Sequence, residues 1–212
     1  MYFDSRRSTV LATHGMVATS QPLAAMAGVR ILMEGGNAVD AAIASAAVLN
    51  VVEPVSTGVG GDMFALIWNN KDKSIQAING SGRSGMASTI DALKAEGHDT
   101  MPQRGVHSVT VPGAVHGWET LLNECGTMPL FHLLQPAIQY AEEGYPVSDI
   151  ISFQWSNQVE MLSKLPSGQE MLLNGKAPKH GDILKIPTLG RTLRAIAEGG
   201  SEAFYNGDIA EK

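Results

Sequence analysis

Residues 35–62, Gly35-Gly-Asn-Ala-Val-Asp-Ala-Ala-Ile-Ala-Ser-Ala-Ala-Val-Leu-Asn-Val-Val-Glu-Pro-Val-Ser-Thr-Gly-Val-Gly-Gly-Asp62, decide how this chain folds. From Ala38 to Val52 nearly every side chain is small and apolar, and Asp40, Ser45 and Asn50 are the polar interruptions. A helix that is apolar on all sides is a buried helix. It needs covering layers on more than one face, and the rest of the chain must supply them. Asn37 or Asp40 serves its start, and Glu53-Pro54 ends it, because the residue before proline avoids the helical region.

Working upstream, Ala18-Thr-Ser-Gln-Pro-Leu-Ala-Ala-Met-Ala-Gly28 reads as the opening of another helix. Ser20 is expected to cap it, with Pro22 in the first turn, where a missing N–H costs little. Gly35-Gly36 stops it, since glycine reaches the left-handed region without a Cβ penalty. Met16 to Thr19 is expected to be a short strand. Downstream, Met63 to Trp68 and Ser74 to Ile78 flank the polar turn Asn69-Asn-Lys-Asp-Lys73, which predicts an antiparallel hairpin. Asn79-Gly-Ser-Gly-Arg-Ser-Gly85 leaves its end as a glycine-rich loop. Further helices are expected over 90–96, 113–124, 129–143, 147–165 and 187–198, with a strand over 106–111 and an extended piece at 183–186. After Tyr205 the chain reads as the start of a helix, with Asp208 near its cap, that stops within about a turn. Isolated helices shorter than about 12–15 residues are marginal, so the end reads either as a frayed terminus or, the sharper expectation, as the cut end of one piece of a longer polypeptide. No linker or repeat divides residues 1–212. The class is α+β, with helices dominant.

Composition narrows the function classes. The chain has 212 residues, 44% hydrophobic and 17% charged, with a formal net charge of −6. That balance suits a globular protein and argues against a nucleic acid or a membrane as partner. Cys125 is the single cysteine, so neither an intrachain disulfide nor a cysteine metal cluster is available. Thr13, His14 and Gly15 interrupt the apolar core that a secretion signal would need after residues 1–7, and a cytoplasmic protein is the expectation.

Candidate chemistry is sparse. Gly58-Val-Gly-Gly-Asp62 lacks the spacing and the Gly-Lys-Ser/Thr ending of a phosphate loop and precedes a strand, so it reads as a tight turn feeding the sheet. The six histidines, His14, His98, His107, His116, His132 and His180, show no i, i+4 pair suited to zinc and no accompanying carboxylate cluster. No metal and no cofactor are expected. Ser108 and Thr110 beside His107 do not make a hydrolase triad. Arg83 stands apart because Gly80, Gly82 and Gly85 flank it. A guanidinium grips a carboxylate through two parallel hydrogen bonds, and two readings stand: a carboxylate-binding arginine, or an ordinary surface arginine in a turn. No nucleophile emerges.

Several further signatures share one order. They are Gly15-Met-Val-Ala-Thr-Ser-Gln-Pro-Leu-Ala24, Gly28 followed by Gly35-Gly-Asn-Ala-Val-Asp-Ala-Ala42, Val52-Glu-Pro54, and Gly58-Val-Gly-Gly-Asp-Met-Phe64. Gly80-Ser-Gly-Arg-Ser84, Ser108-Val-Thr-Val-Pro-Gly113, Gly126-Thr-Met-Pro129, Gln135-Pro-Ala137 and Ala203-Phe-Tyr205 follow. Together they resemble the gamma-glutamyltranspeptidases over essentially the whole chain.

The resemblance implies an N-terminal-nucleophile hydrolase: a four-layer αββα sandwich made as a precursor that cuts itself to expose a threonine. That threonine uses its own amine as base and attacks a gamma-glutamyl amide of the glutathione type. The glutamyl group then passes to water, an amino acid or a peptide. The family arginine that holds the glutamyl α-carboxylate falls on Arg83. The threonine, the threonine and histidine after it, and the oxyanion-hole glycines belong to the small subunit, and these residues do not contain them. The required partner is therefore the C-terminal portion carrying the nucleophile, and the chain alone is expected to be inactive. Gln21 stands where many members have histidine. The Gly80-Ser-Gly-Arg83 form is similar to the intracellular prokaryotic branch that shades into the cephalosporin acylases. A dicarboxylic-amide acylase on the same fold and a non-catalytic truncated module are the alternatives.

Overall fold

The computed structural model describes residues 8–211; the opening residues 1–7, part of the signal argument above, lie outside it. The buried helix is α2, Ala38–Val52, and it follows α1, Pro22–Met33. The Asn37 side chain accepts from the Val39 and Asp40 amides while the Asp40 carboxylate accepts from the Asn37 amide. Both residues therefore start the helix, as a reciprocal capping box. Asp40 is fully buried and its carboxylate also accepts from the Thr127 and Met128 amides at 2.9 and 3.2 Å and from the Thr127 hydroxyl. Burial pushes this carboxyl up, but the hydrogen bonds from Thr127, Asn37 and Met128 outweigh it and hold it below its ordinary value. One acidic side chain thus fixes the start of α2 and the entry to a distant helix.

Ser20 does not cap α1. Its hydroxyl donates to the Glu53 carboxylate, and the N-cap position belongs to Gln21, which makes no side-chain cap bond. Gln21 is instead buried and donates from Nε2 to the Ser148 hydroxyl at 3.1 Å. The glycine stop holds: Gly35 has φ +97° just beyond the end of α1.

The hairpin is β1, Met63–Asn69, paired antiparallel with β2, Ser74–Gly80, in the register Phe64↔Asn79, Leu66↔Ala77 and Trp68↔Ile75. A small helix α3, Ile90–Ala95, and then α4, Ala114–Cys125, and α5, Leu130–Glu143, follow. Two-residue strands β3, Tyr145–Pro146, and β4, Ile183–Leu184, pair with each other, and between them lie α6, Asp149–Ser156, and α7, Val159–Ser163. The last helix, α8, Pro187–Tyr205, is broken at Gly200, whose φ/ψ of 63°/−153° is not helical. α2 packs between α1 and α5, α5 packs on α8, and α4 joins this helical layer to the hairpin.

Four expectations fail for identifiable reasons. Residues 16–19 form no regular element and have no neighbouring strand to pair with among the described residues. Residues 106–111 are not a strand either. Ser108 and Val109 donate to Gly105 and Val106 in a 3₁₀ turn, which spends locally the groups a ladder would need. The helix predicted over 147–165 splits at Asn157-Gln158 into α6 and α7, where the Asn157 and Gln158 amides donate to the Gln154 and Trp155 carbonyls in tighter i→i−3 turns and end the α-helical ladder. The stretch after Tyr205 is a set of turns, closed by Ala210 donating to Gly207 at 2.9 Å, and not the opening of a helix. No described helix is long and apolar enough to cross a membrane.

Candidate functional site

Arg83 sits in the extended segment that leaves β2, with its side chain exposed. Its backbone is held on two sides. The Val111 amide donates to the Arg83 carbonyl at 2.9 Å, and one residue earlier the Gly82 amide donates to the Asp62 carboxylate at 2.9 Å. Asp62 also accepts from the Ser81 and Thr110 hydroxyls at 3.5 and 3.3 Å. The end of the glycine turn before β1 is therefore an anchor that ties residues 81–82 to residue 110. The turn itself is as expected, with Gly61 donating to the Gly58 carbonyl at 3.0 Å. The Gly61 carbonyl in turn accepts from the Gly113 and Ala114 amides at 3.0 and 2.9 Å, which fixes the first turn of α4.

The flanking glycines serve a different purpose from the one their pattern suggests. A Cβ at Gly82 would lie 1.6 Å from the Val111 carbonyl oxygen, and a Cβ at Gly113 would lie 2.0 Å from that of Gly80. Two stretches of backbone cross here at a separation that excludes any side chain. The glycines admit the chain's own backbone, and what they leave for a ligand is the guanidinium. Gly85, by contrast, has open space around it.

A second set of contacts supports the crossing from behind. The Tyr205 hydroxyl donates to the Pro112 carbonyl at 2.6 Å and accepts from the His116 amide at 3.2 Å. Burial, reinforced by the Glu119 charge and opposed by the His116 bond, holds the Tyr205 phenol above its ordinary value, so it stays a donor at neutral pH. The break at Gly200 lets Ser201 bond Glu119 of α4 through its hydroxyl and turns the chain so that Tyr205 reaches Pro112. Arg83, Gly82, Pro112, His116 and Tyr205 line a cavity of about 330 Å³. Arg83 forms no ion pair among the described residues.

No nucleophile assembles around Arg83. The Ser81 and Thr110 hydroxyls are spent on Asp62, and Ser108 donates to the Gly105 carbonyl at 3.0 Å. Sequence reasoning singled out Arg83 but missed its supports. Asp62 was legible only as the end of a glycine turn, and Tyr205 only as part of a motif.

The histidines hold a second surprise. Glu96, His98 and His107 bring one ligand atom each to within 4.8 Å of one another. The Glu96 carboxylate lies 2.9 Å from His107 Nε2, and the two imidazoles meet edge to face with centroids 5.3 Å apart. A carboxylate therefore does accompany two histidines, contrary to the spacing argument. The i, i+2 pair closes on a residue nine positions later only because the intervening loop folds back.

The family model for gamma-glutamyltranspeptidase matches residues 24–212. The chain belongs to the gamma-glutamyltranspeptidase family. A glutathione hydrolase-like YwrD proenzyme of Bacillus subtilis is 42% identical over 206 residues, which is 96% of this chain but 39% of that protein. Among solved structures, Helicobacter pylori gamma-glutamyltranspeptidase superposes with a TM-score of 0.90 at 30% identity, over 96% of this chain and 60% of that one. A cephalosporin acylase of Bacillus halodurans superposes with a TM-score of 0.92 at 44% identity, over 99% of this chain and 40% of that one. The chain thus spans 39–60% of the length of these relatives. The α+β class holds, and the chain supplies a helical layer and one hairpin of the N-terminal-nucleophile hydrolase fold. The glycine crossing and the Arg83 loop are therefore features of a gamma-glutamyltranspeptidase-family chain.

Proposed function

We propose that this chain is the large-subunit portion of an enzyme that cleaves gamma-glutamyl amides, with Arg83 gripping the α-carboxylate of the glutamyl group. The observation that carries the reading is the clamping of the Arg83 segment, by Val111 at the Arg83 carbonyl and by Asp62 at the neighbouring Gly82 amide, while the guanidinium is left exposed at a cavity mouth. A guanidinium on a fixed backbone gains affinity because little freedom is lost when it binds. The nucleophile comes from the remaining polypeptide, which the greater length of the relatives and their description as proenzymes support. An unpartnered apolar sheet face supports it too. Phe64, Leu66, Trp68 and Ile75 project from the outer side of the hairpin and are 56–80% exposed. Apolar surface of that kind marks an interface.

A specific observation favours a second reading, an acylase of other dicarboxylic amides: the 44% identity to the cephalosporin acylase. A glutaryl amide carries the same terminal carboxylate as a gamma-glutamyl amide and lacks only the α-amino group, so Arg83 serves either substrate. The test uses the complete protein and compares a gamma-glutamyl anilide with a glutaryl anilide. Preference for the first supports the transpeptidase reading, and preference for the second the acylase. Arg83→Ala should weaken both by about 2–5 kcal/mol in kcat/KM, the usual cost of removing one partner of a charge pair, which here is buried only once the substrate carboxylate and the remaining polypeptide cover it. Unchanged kinetics would remove Arg83 from the site. A cytoplasmic location belongs to this reading, supported by the use of a single cysteine; recovery of the protein with the membrane or exported fraction would refute it.

A further inference from the structure

We propose that Glu96, His98 and His107 form a binding site for one divalent transition-metal ion, with zinc the best match, which staples the excursion between Arg83 and Val111. Three donors converge from two sides of a loop. Glu96 caps the end of α3, His98 lies two residues beyond, and His107 sits in the 3₁₀ turn on the return path. Their ligand atoms lie within 4.8 Å of one another, and those of Glu96 and His107 are 2.9 Å apart. Zinc holds nitrogen and oxygen ligands at about 2.0–2.2 Å in a tetrahedron, which places neighbouring ligand atoms roughly 3.4 Å apart. The donors already lie within about 1.4 Å of that spacing, since none of the three ligand atoms is more than 4.8 Å from another. Two imidazoles and one carboxylate are a donor set suited to zinc, and a fourth position remains for water. Glu96 is 56% and His107 28% exposed, so an ion reaches them from solvent.

The excursion also has little else to hold it. α3 buries none of its residues, and the long return from Gly97 carries no strand. Its ends are joined by the Val111–Arg83 bond, and Arg104 reaches Gln158 at 3.2 Å from its middle. Glu96 and His107 line a cavity of about 520 Å³ between α3 and residues 106–110. A segment without a core gains the most from a cross-link that fixes both of its arms. The ion takes the place of the direct Glu96–His107 contact. This inference is independent of the substrate assigned to Arg83.

The test is a cobalt titration of the full-length protein after chelator treatment. One equivalent of Co²⁺ should give the visible absorption of a four-coordinate ion, and Zn²⁺ should abolish it. His98→Ala and His107→Ala should each weaken Co²⁺ by more than about 100-fold, since even the loss of an outer partner of a metal ligand costs about 10–100-fold. Zn²⁺ should slow proteolytic cutting within residues 85–110 of the unmodified protein. Glu96→Gln, which keeps the side-chain shape and a hydrogen bond to His107, controls for misfolding and should still lose cobalt affinity. No visible band at one equivalent of cobalt would overturn the proposal. So would binding that survives both histidine substitutions unchanged, because the ion would then lie elsewhere.

Discussion

Gly82→Ala should separate the structural role of the glycine loop from its appearance as a ligand cradle. The added Cβ would fall 1.6 Å from the Val111 carbonyl oxygen and 2.8 Å from its carbonyl carbon. Nonbonded carbon contacts are comfortable at about 3.5–4.0 Å, so the two backbones must part by roughly 2 Å. Both contact atoms are backbone, so no rotamer change relieves the clash. The Val111–Arg83 hydrogen bond, 2.9 Å long, cannot survive that separation. Losing it costs about 0.5–1.5 kcal/mol, and overpacking adds about 1–3 kcal/mol, for a total of roughly 1.5–4.5 kcal/mol. Gly85→Ala, three residues on, meets nothing within 4 Å and should be neutral. Denaturant midpoints of the two variants in the complete protein give the comparison, and hydrogen exchange at the Val111 amide locates the damage. Because Arg83 rides on the displaced backbone, kcat/KM for a gamma-glutamyl anilide should fall by up to about 100-fold, the usual price of an ångström of misplacement. Equal stability of the two variants would refute the backbone-crossing account. A destabilised Gly82→Ala enzyme with normal kinetics would spare the crossing and refute the assignment of Arg83.

Other consequences follow from the buried polar groups. Asp40→Ala removes a capping box and several bonds to residues 127–128, and should cost about 2–4 kcal/mol in urea denaturation. The Asp40 carboxyl is held below its unfolded value of about 3.9. Its contribution is therefore complete above that pH and is lost as the pH falls through the lower folded-state value. Stability of the unmodified protein should drop more steeply with acid than that of Asp40→Asn, and parallel curves would count against Asp40 as the titrating group. Tyr205→Phe leaves the ring in place but deprives the Pro112 carbonyl of its donor and the His116 amide of its acceptor. It should cost about 1–2 kcal/mol and loosen residues 110–113 in hydrogen exchange; full protection there would show that Tyr205 is not a support.

How much was legible varied with the reach of the interactions involved. The capped start of α2, its burial, its end at Glu53 and the existence of the hairpin depend on neighbours within a few residues and on apolar pattern. Such features are written in the local sequence. The motifs that placed Arg83 on a loop after β2 were legible for the same reason. Elements that need a distant partner were misread. Residues 16–19 and 106–111 have strand-like composition, but a strand exists only if another backbone lies beside it. Ser20 had the chemistry of a cap, yet Glu53, 33 positions away, claims its hydroxyl.

By itself, then, the sequence determined the buried helix that opens at Asn37, the helix-and-hairpin composition around it, and an arginine flanked by glycines with no nucleophile beside it. The tertiary structure decided what those glycines are for and what stands near them. Gly82 and Gly113 are required because residues 80–82 and 111–113 cross at backbone contact, and Asp62 and Tyr205 are drawn in from distant positions to hold that crossing. Glu96, His98 and His107 meet because a loop doubles back. A close approach between distant segments leaves only a missing side chain in the local sequence; the partner that makes it necessary is chosen by the fold.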